Sequence, residues 1–185
     1  GTMAGLVGGR MAALISAARA APMRSLLGVF PAAAFYVLAC LQTLLAFGAP
    51  FGRYFYGGRV AQDDDTLSAP FRAVSACAVP LLLAFAHVAL AMARLMRSPL
   101  TDRQLRTTNW VVVGYMSLNS IANFVGQSVV ERWVMGPLAV AISASLAVLG
   151  WLRAKEEERT PGGSDGEGGP DGQRANRGAS AGASA

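Results

Sequence analysis

Charged and apolar residues are segregated along this chain. No Asp, Glu, Lys or Arg occurs between Arg24 and Arg53, Arg72 and Arg94, Arg106 and Glu131, or Arg132 and Arg153. These windows hold 28, 21, 24 and 20 residues, each enough for an α-helix to cross the roughly 30 Å hydrocarbon core of a bilayer. Apolar residues fill them almost continuously, without the polar stripe that a helix on a soluble core would show. The pattern predicts an all-α membrane protein, with four transmembrane helices in an up-down bundle over residues 29–152. The spans are expected at about 29–50, 73–95, 109–130 and 133–152. Residues 1–28 are expected to form a cytoplasmic segment, weakly amphipathic around Met11, Leu14, Ile15 and Ala18. Residues 153–185 begin as a charged flank and continue as a Gly/Ser/Ala/Asp-rich tail, which cannot bury a core and is expected to be disordered.

Composition sharpens this reading. With 53% hydrophobic residues in 185, a soluble four-helix bundle would leave apolar surface in water around every helix, beyond what monomers tolerate. The net charge of +5 comes from residues flanking the spans, where they meet lipid phosphates, and no basic stripe interleaved with aromatics suggests nucleic acid. Ten basic residues, in the N-terminus, the second loop and the flank just after the fourth window, fall on one side, against four on the other. The positive-inside rule then places both termini in the cytoplasm of a cell inner (plasma) membrane protein. An Arg-rich, acid-poor N-terminus is also the composition of an organellar import signal, so an organellar membrane is the alternative. Val37-Leu38-Ala39-Cys40 has the form of a lipobox, but the apolar run continues past Cys40 where a mature lipoprotein would turn polar. Cys40 and Cys77 are expected to be small buried apolar residues.

The chemistry the spans can carry is concentrated in the third. Ser120, Asn123, Gln127 and Glu131 are spaced by three, four and four residues and share a helix face, with Asn119 beside them. An amide in hydrocarbon must be paired, so this face looks at other helices, water or a ligand. Interhelical hydrogen bonding is the plainer explanation and a polar cavity the sharper one. His87, the only histidine, lies within span 2, with Asn119, Ser117 and Gln42 as expected partners. It has no cluster of further metal ligands around it. Asp63-Asp64-Asp65 reads as a solvated loop or a helix cap, since consecutive acids do not converge on one ion as alternating ones do. No cofactor or metal is expected.

The first long loop reads Gly48-Ala49-Pro50-Phe51-Gly52-Arg53-Tyr54-Phe55-Tyr56-Gly57-Gly58. Asn119-Ser120-Ile121-Ala122-Asn123, Ser128, Glu131-Arg132 and Gly136-Pro137 follow later. Over residues 29–152 this resembles a family of small bacterial four-helix integral membrane proteins of uncharacterised activity. They carry a Gly-Ala-Pro-aromatic-Gly…Gly-Gly loop after the first span and an Asn…Ser…Glu-Arg…Gly-Pro run joining spans 3 and 4. The family commonly has a serine where this chain has Gly126. The resemblance implies a four-helix membrane fold and no established activity. Independently, Pro50 is placed to stop span 1, while Gly52, Gly57 and Gly58 permit tight turns. Such a loop is expected to fold over the end of the bundle near Gln127 and Glu131.

Together these readings favour a non-enzymatic integral membrane protein, a lipid-associated or protein-interaction module. The alternative is a small transporter or channel subunit lined by His87, Asn119, Asn123 and Gln127. For an enzyme, His87 and Glu131 are the only candidate acid or base groups in the spans. Expected partners are membrane lipids, with a homo-oligomer or another membrane protein possible, and no nucleic acid.

Overall fold

A computed structural model describes residues 3–56, 61–126 and 128–159, with side chains at 21–56, 61–126, 128–156 and 158. Four helices follow in order: α1 (Met3–Ala46), α2 (Ala69–Met92), α3 (Asp102–Val125) and α4 (Gly136–Arg159). A short 3₁₀ turn, Gly52–Tyr54, lies between α1 and α2, and a π turn, Glu131–Met135, leads into α4. The chain divides into two units. Gly1–Arg153 holds the helical core, and the described part of Ala154–Ala185 is the last stretch of helix, 154–159. We call the end carrying the α1–α2 and α3–α4 loops distal and the end carrying the α2–α3 loop proximal.

The described chain is helical apart from loops and one isolated bridge, Ala61 with Leu67. Three stretches are long and apolar enough to cross a membrane: Ala21–Ala46, Ala69–Met92 and Glu131–Glu156. No more than 39% of the most apolar window in each is buried, so most of their apolar surface faces outward, as a bilayer requires. The helix α3 is as long as α2, at 24 residues, but its amides and serines keep it out of that group. The first helix runs unbroken from Met3, so no helix break separates residues 3–28 from the first span. The side chains expected to make that segment amphipathic lie outside those described, as does the chain from residue 160.

Helix ends outrun the charge-free windows because capping sets them. Thr101 caps α3 with a capping box: its hydroxyl accepts from the Gln104 backbone N–H, while Gln104 Oε1 accepts from the Thr101 backbone N–H. The helix therefore begins seven residues before the expected span, in charged sequence. At the other end of α1, Gly48 N bonds Leu45 O and Ala49 N bonds Leu44 O, with Gly48 at φ 87°. This is a Schellman stop, and Pro50 follows it as expected. The π turn before α4 lies just ahead of Pro137, whose ring nitrogen offers no hydrogen to an i→i−4 ladder.

Helices α1 and α2 meet along a seam of small residues. Gly28, Ala32, Phe35 and Ala39 on one side face Leu82, Phe85, Ala86, Ala89 and Ala93 on the other. A Cβ at Gly28 would collide with that of Ala93. Without a hydrophobic driving force in lipid, such close backbone approach supplies the dispersion contact that holds helices together. Val112 and Met116 of α3 and Ala139, Ile142 and Leu146 of α4 complete the core. Phe35 meets Phe85 edge to face at 5.6 Å, and Phe85 continues to Tyr115 at 5.4 Å. Cys40 and Cys77, expected inside, are both exposed on the outer faces of their helices, where a thiol suits hydrocarbon as well as a core would.

At the proximal end, Arg153 is 8% exposed. Its Nη1 donates to Ala91 O at 3.1 Å, at the last turn of α2, and its Nη2 pairs with Asp102 at the first turn of α3. One guanidinium thus joins α4 to the ends of two other helices, adding a charged donor to a carbonyl of the last turn of α2 that the Arg94 N–H also reaches. The two halves of this arrangement carry unequal weight, because Asp102 is 76% exposed and solvent screens its pairing. Arg153→Met is expected to lower the unfolding free energy by about 2–4 kcal/mol, and Asp102→Asn by less than about 1 kcal/mol. Thermal unfolding of both variants in the same detergent checks the ranking.

Candidate functional site

The polar face of α3 divides into two groups with different work. Ser120 is buried and donates to Gly136 O at 3.2 Å. One turn earlier, Ser117 and Ser143 share a hydrogen bond at 2.8 Å, and Ser143 reaches Val113 O. Asn109 is fully buried and donates to Leu146 O at 3.1 Å, fitting against Gly150, where a Cβ would stand 2.8 Å from its Nδ2. These bonds fasten α3 to α4. Asn119 and Asn123 face elsewhere, into a cavity of about 360 Å³ at the distal end.

All four helices contribute to that cavity. Gln42 of α1, Asn119 and Asn123 of α3, Glu131 of the π turn and Tyr56 of the first loop bring polar groups to it. Leu38, Leu82, Leu138 and Ile142 are among its apolar walls. Its volume lies in the range of small-molecule sites, and a mostly apolar wall with a few convergent polar groups is the usual composition of one. Glu131 is buried at 8% exposure. Its Oε2 lies where Gly126 leaves room: a Cβ there would be 2.8 Å away. The missing side chain at Gly126 therefore lets a carboxylate fold in beside the end of α3.

The first loop roofs this space. Ser128 donates its hydroxyl to Tyr54 O at 3.1 Å, tying the α3–α4 connection to the loop 74 residues earlier. The Tyr56 hydroxyl bonds Gln42 Oε1 at 3.3 Å and Ser75 Oγ at 3.0 Å, and its ring packs on Phe71. Its backbone sits at φ 54°, a conformation costly for a bulky residue and kept only where surroundings over-determine it. Gly52 is needed for close approach: a Cβ there would meet Asp65 O at 2.8 Å, the carbonyl that accepts from Gly52 N. Arg72 lies against Gly48 and donates Nε to Ala46 O at 3.0 Å, closing the C-terminal end of α1.

Asn119, Asn123 and Glu131 converge on the cavity; Gln127, Gly57 and Gly58 lie outside the described residues. Pro50 is exposed after the end of α1, and Gly52 is buried in the roof. His87 is half-buried in α2 and does not line the cavity. Its expected partners are directed elsewhere: Ser117 to Ser143 and Val113 O, Gln42 to Tyr56, and Asn119 to the cavity. Gln42, Tyr56 and Gly126 line the cavity without having stood out in the sequence as site residues. A tyrosine among loop aromatics looks like an interfacial anchor, and only the fold brings its hydroxyl to α1 and α2.

Asp63-Asp64-Asp65 forms the tip of a tight turn, with Asp65 N bonded to Gln62 O and Gln62 N to Thr66 O. Asp65 pairs with Arg53 of the roof. The Thr66 hydroxyl and backbone N–H both donate to Asp64, which holds its carboxyl below the ordinary value. No group of three or more potential metal ligands occurs among the described residues.

Comparison with protein-family models, curated proteins and solved structures found no match. Identification of the site therefore stands on its geometry.

Two measurements probe the roof. Tyr56→Phe strands the fully buried Ser75 hydroxyl and is expected to cost about 1–3 kcal/mol of stability, seen by thermal unfolding in detergent. Thr66→Val removes the first donor to Asp64 and is expected to raise that carboxyl's pKa, read by carbon NMR of labelled Asp. Because the folded value is the lower one, this bond's stabilisation is present above about pH 4 and disappears as pH falls through the folded value.

Proposed function

We propose that this chain is a four-span inner-membrane protein with both termini cytoplasmic, and that its distal cavity holds the headgroup region of a small amphipathic molecule. The convergence of Gln42, Tyr56, Asn119, Asn123 and Glu131 from four segments on one apolar-walled space carries this reading. The amides both donate and accept, so the lining suits a headgroup that offers and takes hydrogen bonds. Such a molecule, with an apolar part against Leu38, Leu82 and Ile142, has the character of a lipid. The activity is binding or presentation, without a chemical step. A kinship with the small bacterial four-helix membrane proteins that share the Gly-Ala-Pro-aromatic loop belongs to the same proposal.

The crossing of α3 is supported by how its residues divide. Its 24 residues extend about 36 Å. Val111, Leu118, Ile121 and Val125, all more than 60% exposed, form an apolar outside, while Asn109 and Ser120 are buried and the cavity amides face inward. A helix of modest average hydropathy can cross lipid when its polar groups are turned away from it.

Binding is favoured over conduction by what lies beneath the cavity. Phe35, Phe85, Ala86, Val112 and Leu146 close the bundle towards the proximal end, and His87, which would have continued a polar path, is not part of the lining. Native mass spectrometry from mild detergent is expected to show a retained amphiphile on the wild type, with occupancy reduced about tenfold or more in Asn119→Leu/Asn123→Leu, since two polar contacts are lost. Unchanged occupancy in that variant, or solute flux through wild-type proteoliposomes that the variant abolishes, would overturn the reading in favour of helix packing or of transport.

A further inference from the structure

The distal cavity is walled unevenly. Among the described residues that line it, Leu81 of α2 and Tyr115 of α3 are 43% and 45% exposed, and Ala122 of α3 is exposed as well. The lining residues from α1, α4 and the roof are half-buried or buried. A residue that faces both the cavity and the exterior marks the edge of an opening. All three such edges belong to α2 and α3, whose connecting loop lies at the other end of the bundle. We propose that the cavity opens sideways into the bilayer between α2 and α3, and that its ligand is a lipid of the distal leaflet whose acyl chain passes out through this window. The inference rests on the reading of the cavity as an amphiphile site, and adds where the molecule comes from and how it lies.

Three observations define the window. First, it has a sill and a lintel. Phe85, one turn proximal of Leu81, packs on Tyr115 at 5.4 Å and closes α2 against α3 there. Above, Tyr56 of the roof packs on Phe71 and bonds Ser75, both on α2. Secondly, its depth suits one leaflet. The distal end of α3 is Val125, so Ala122 and Tyr115 lie about 4.5 and 15 Å along the axis from that end. Half of a bilayer's hydrocarbon core is roughly 15 Å. Thirdly, the space is too small for a whole lipid. Its 360 Å³ takes roughly a dozen groups the size of a water molecule, enough for a headgroup and the first carbons of a chain. The rest of a membrane-length chain must leave, and Leu81 and the Tyr115 ring offer it an apolar passage into hydrocarbon. A water-borne ligand would need an entrance from above, where Ser128 ties the roof to the α3–α4 connection.

The test uses the full chain in phosphatidylcholine vesicles, with a long-chain glycerol monoester carrying a diazirine midway along its chain. The hydroxyls of this probe offer and take hydrogen bonds, as the cavity amides do. After irradiation, peptide mapping by mass spectrometry is expected to find adducts on Leu81 and Tyr115. A roughly tenfold excess of unlabelled monoester should cut these about tenfold, as competition for one saturated site requires. Tyr36 and Leu83 are exposed on α1 and α2 outside the lining, so their adducts report bulk lipid and should not change. Adducts at Leu81 and Tyr115 that resist competition as those at Tyr36 do would overturn the window. Competed adducts on Phe55 of the roof in place of Leu81 and Tyr115 would overturn it too. In either case, native mass spectrometry separates the two claims. Monoester retention that is lost in Asn119→Leu/Asn123→Leu leaves an amphiphile site with a different entrance, whereas retention independent of both residues removes the site itself.

Discussion

Every transmembrane helix ends in carbonyls that its own N–H groups cannot reach, and near hydrocarbon water is a scarce substitute. Much of this architecture answers that constraint. Arg72 reaches back from the start of α2 to Ala46 O of α1, and Arg153 reaches from α4 to the last turn of α2. Each arginine closes one helix while belonging to another, so satisfying a backbone group also fixes a helix neighbour. The helix dipole favours a cation at each of these places. Seen in this way, the bundle is fastened at both ends by basic residues and through its middle by small ones, the Gly28 and alanine seam.

The polar side chains within the helices follow the same logic but reach two outcomes. Ser117, Ser120 and Asn109 spend their donors on α4, joining the second hairpin. Asn119 and Asn123 lie close to them in sequence yet face the cavity. A few residues around one helix are enough to separate fastening from recognition, because successive positions are turned about 100° apart. The distal loop then limits access from above, held by Tyr56 against α1 and α2 and by Ser128 against the α3–α4 connection.

Much of this is legible in the sequence because hydrocarbon punishes charge so strongly that the four uncharged windows mark helices directly. The inward turn of Asn119 and Asn123 could be read from helical spacing, and the folding of the loop over the bundle end from its glycines and Pro50. The face expected to run on through Glu131 does not, because α3 stops at Val125, Ser120 turns to Gly136 O and Glu131 reaches the cavity from the π turn. Less could be read where direction matters. Arg72 and Arg153 border charge-free windows and look identical to arginines that meet lipid phosphates; only the turn of the helix shows one capping a neighbour and the other buried. Helix ends were hidden for a related reason, since Thr101 and Gln104 set the start of α3 well outside its apolar stretch. His87 was assigned partners by height in the membrane, a coordinate that ignores which face each residue occupies. Gly126 signified only a departure from a serine pattern until Glu131 was found occupying the space it leaves.

The hydrogen bond from Ser128 to Tyr54 O has a temporal meaning as well as a spatial one. It joins positions 74 residues apart, each in the loop of a different helical hairpin. Each hairpin can form from local contacts, but this bond can close only after the two have met, since long-range closures come late in folding. The distal cavity is therefore a property of the finished molecule. Each half supplies only some of its walls, and a chain caught midway through assembly would expose amides and a carboxylate without a chamber to hold anything.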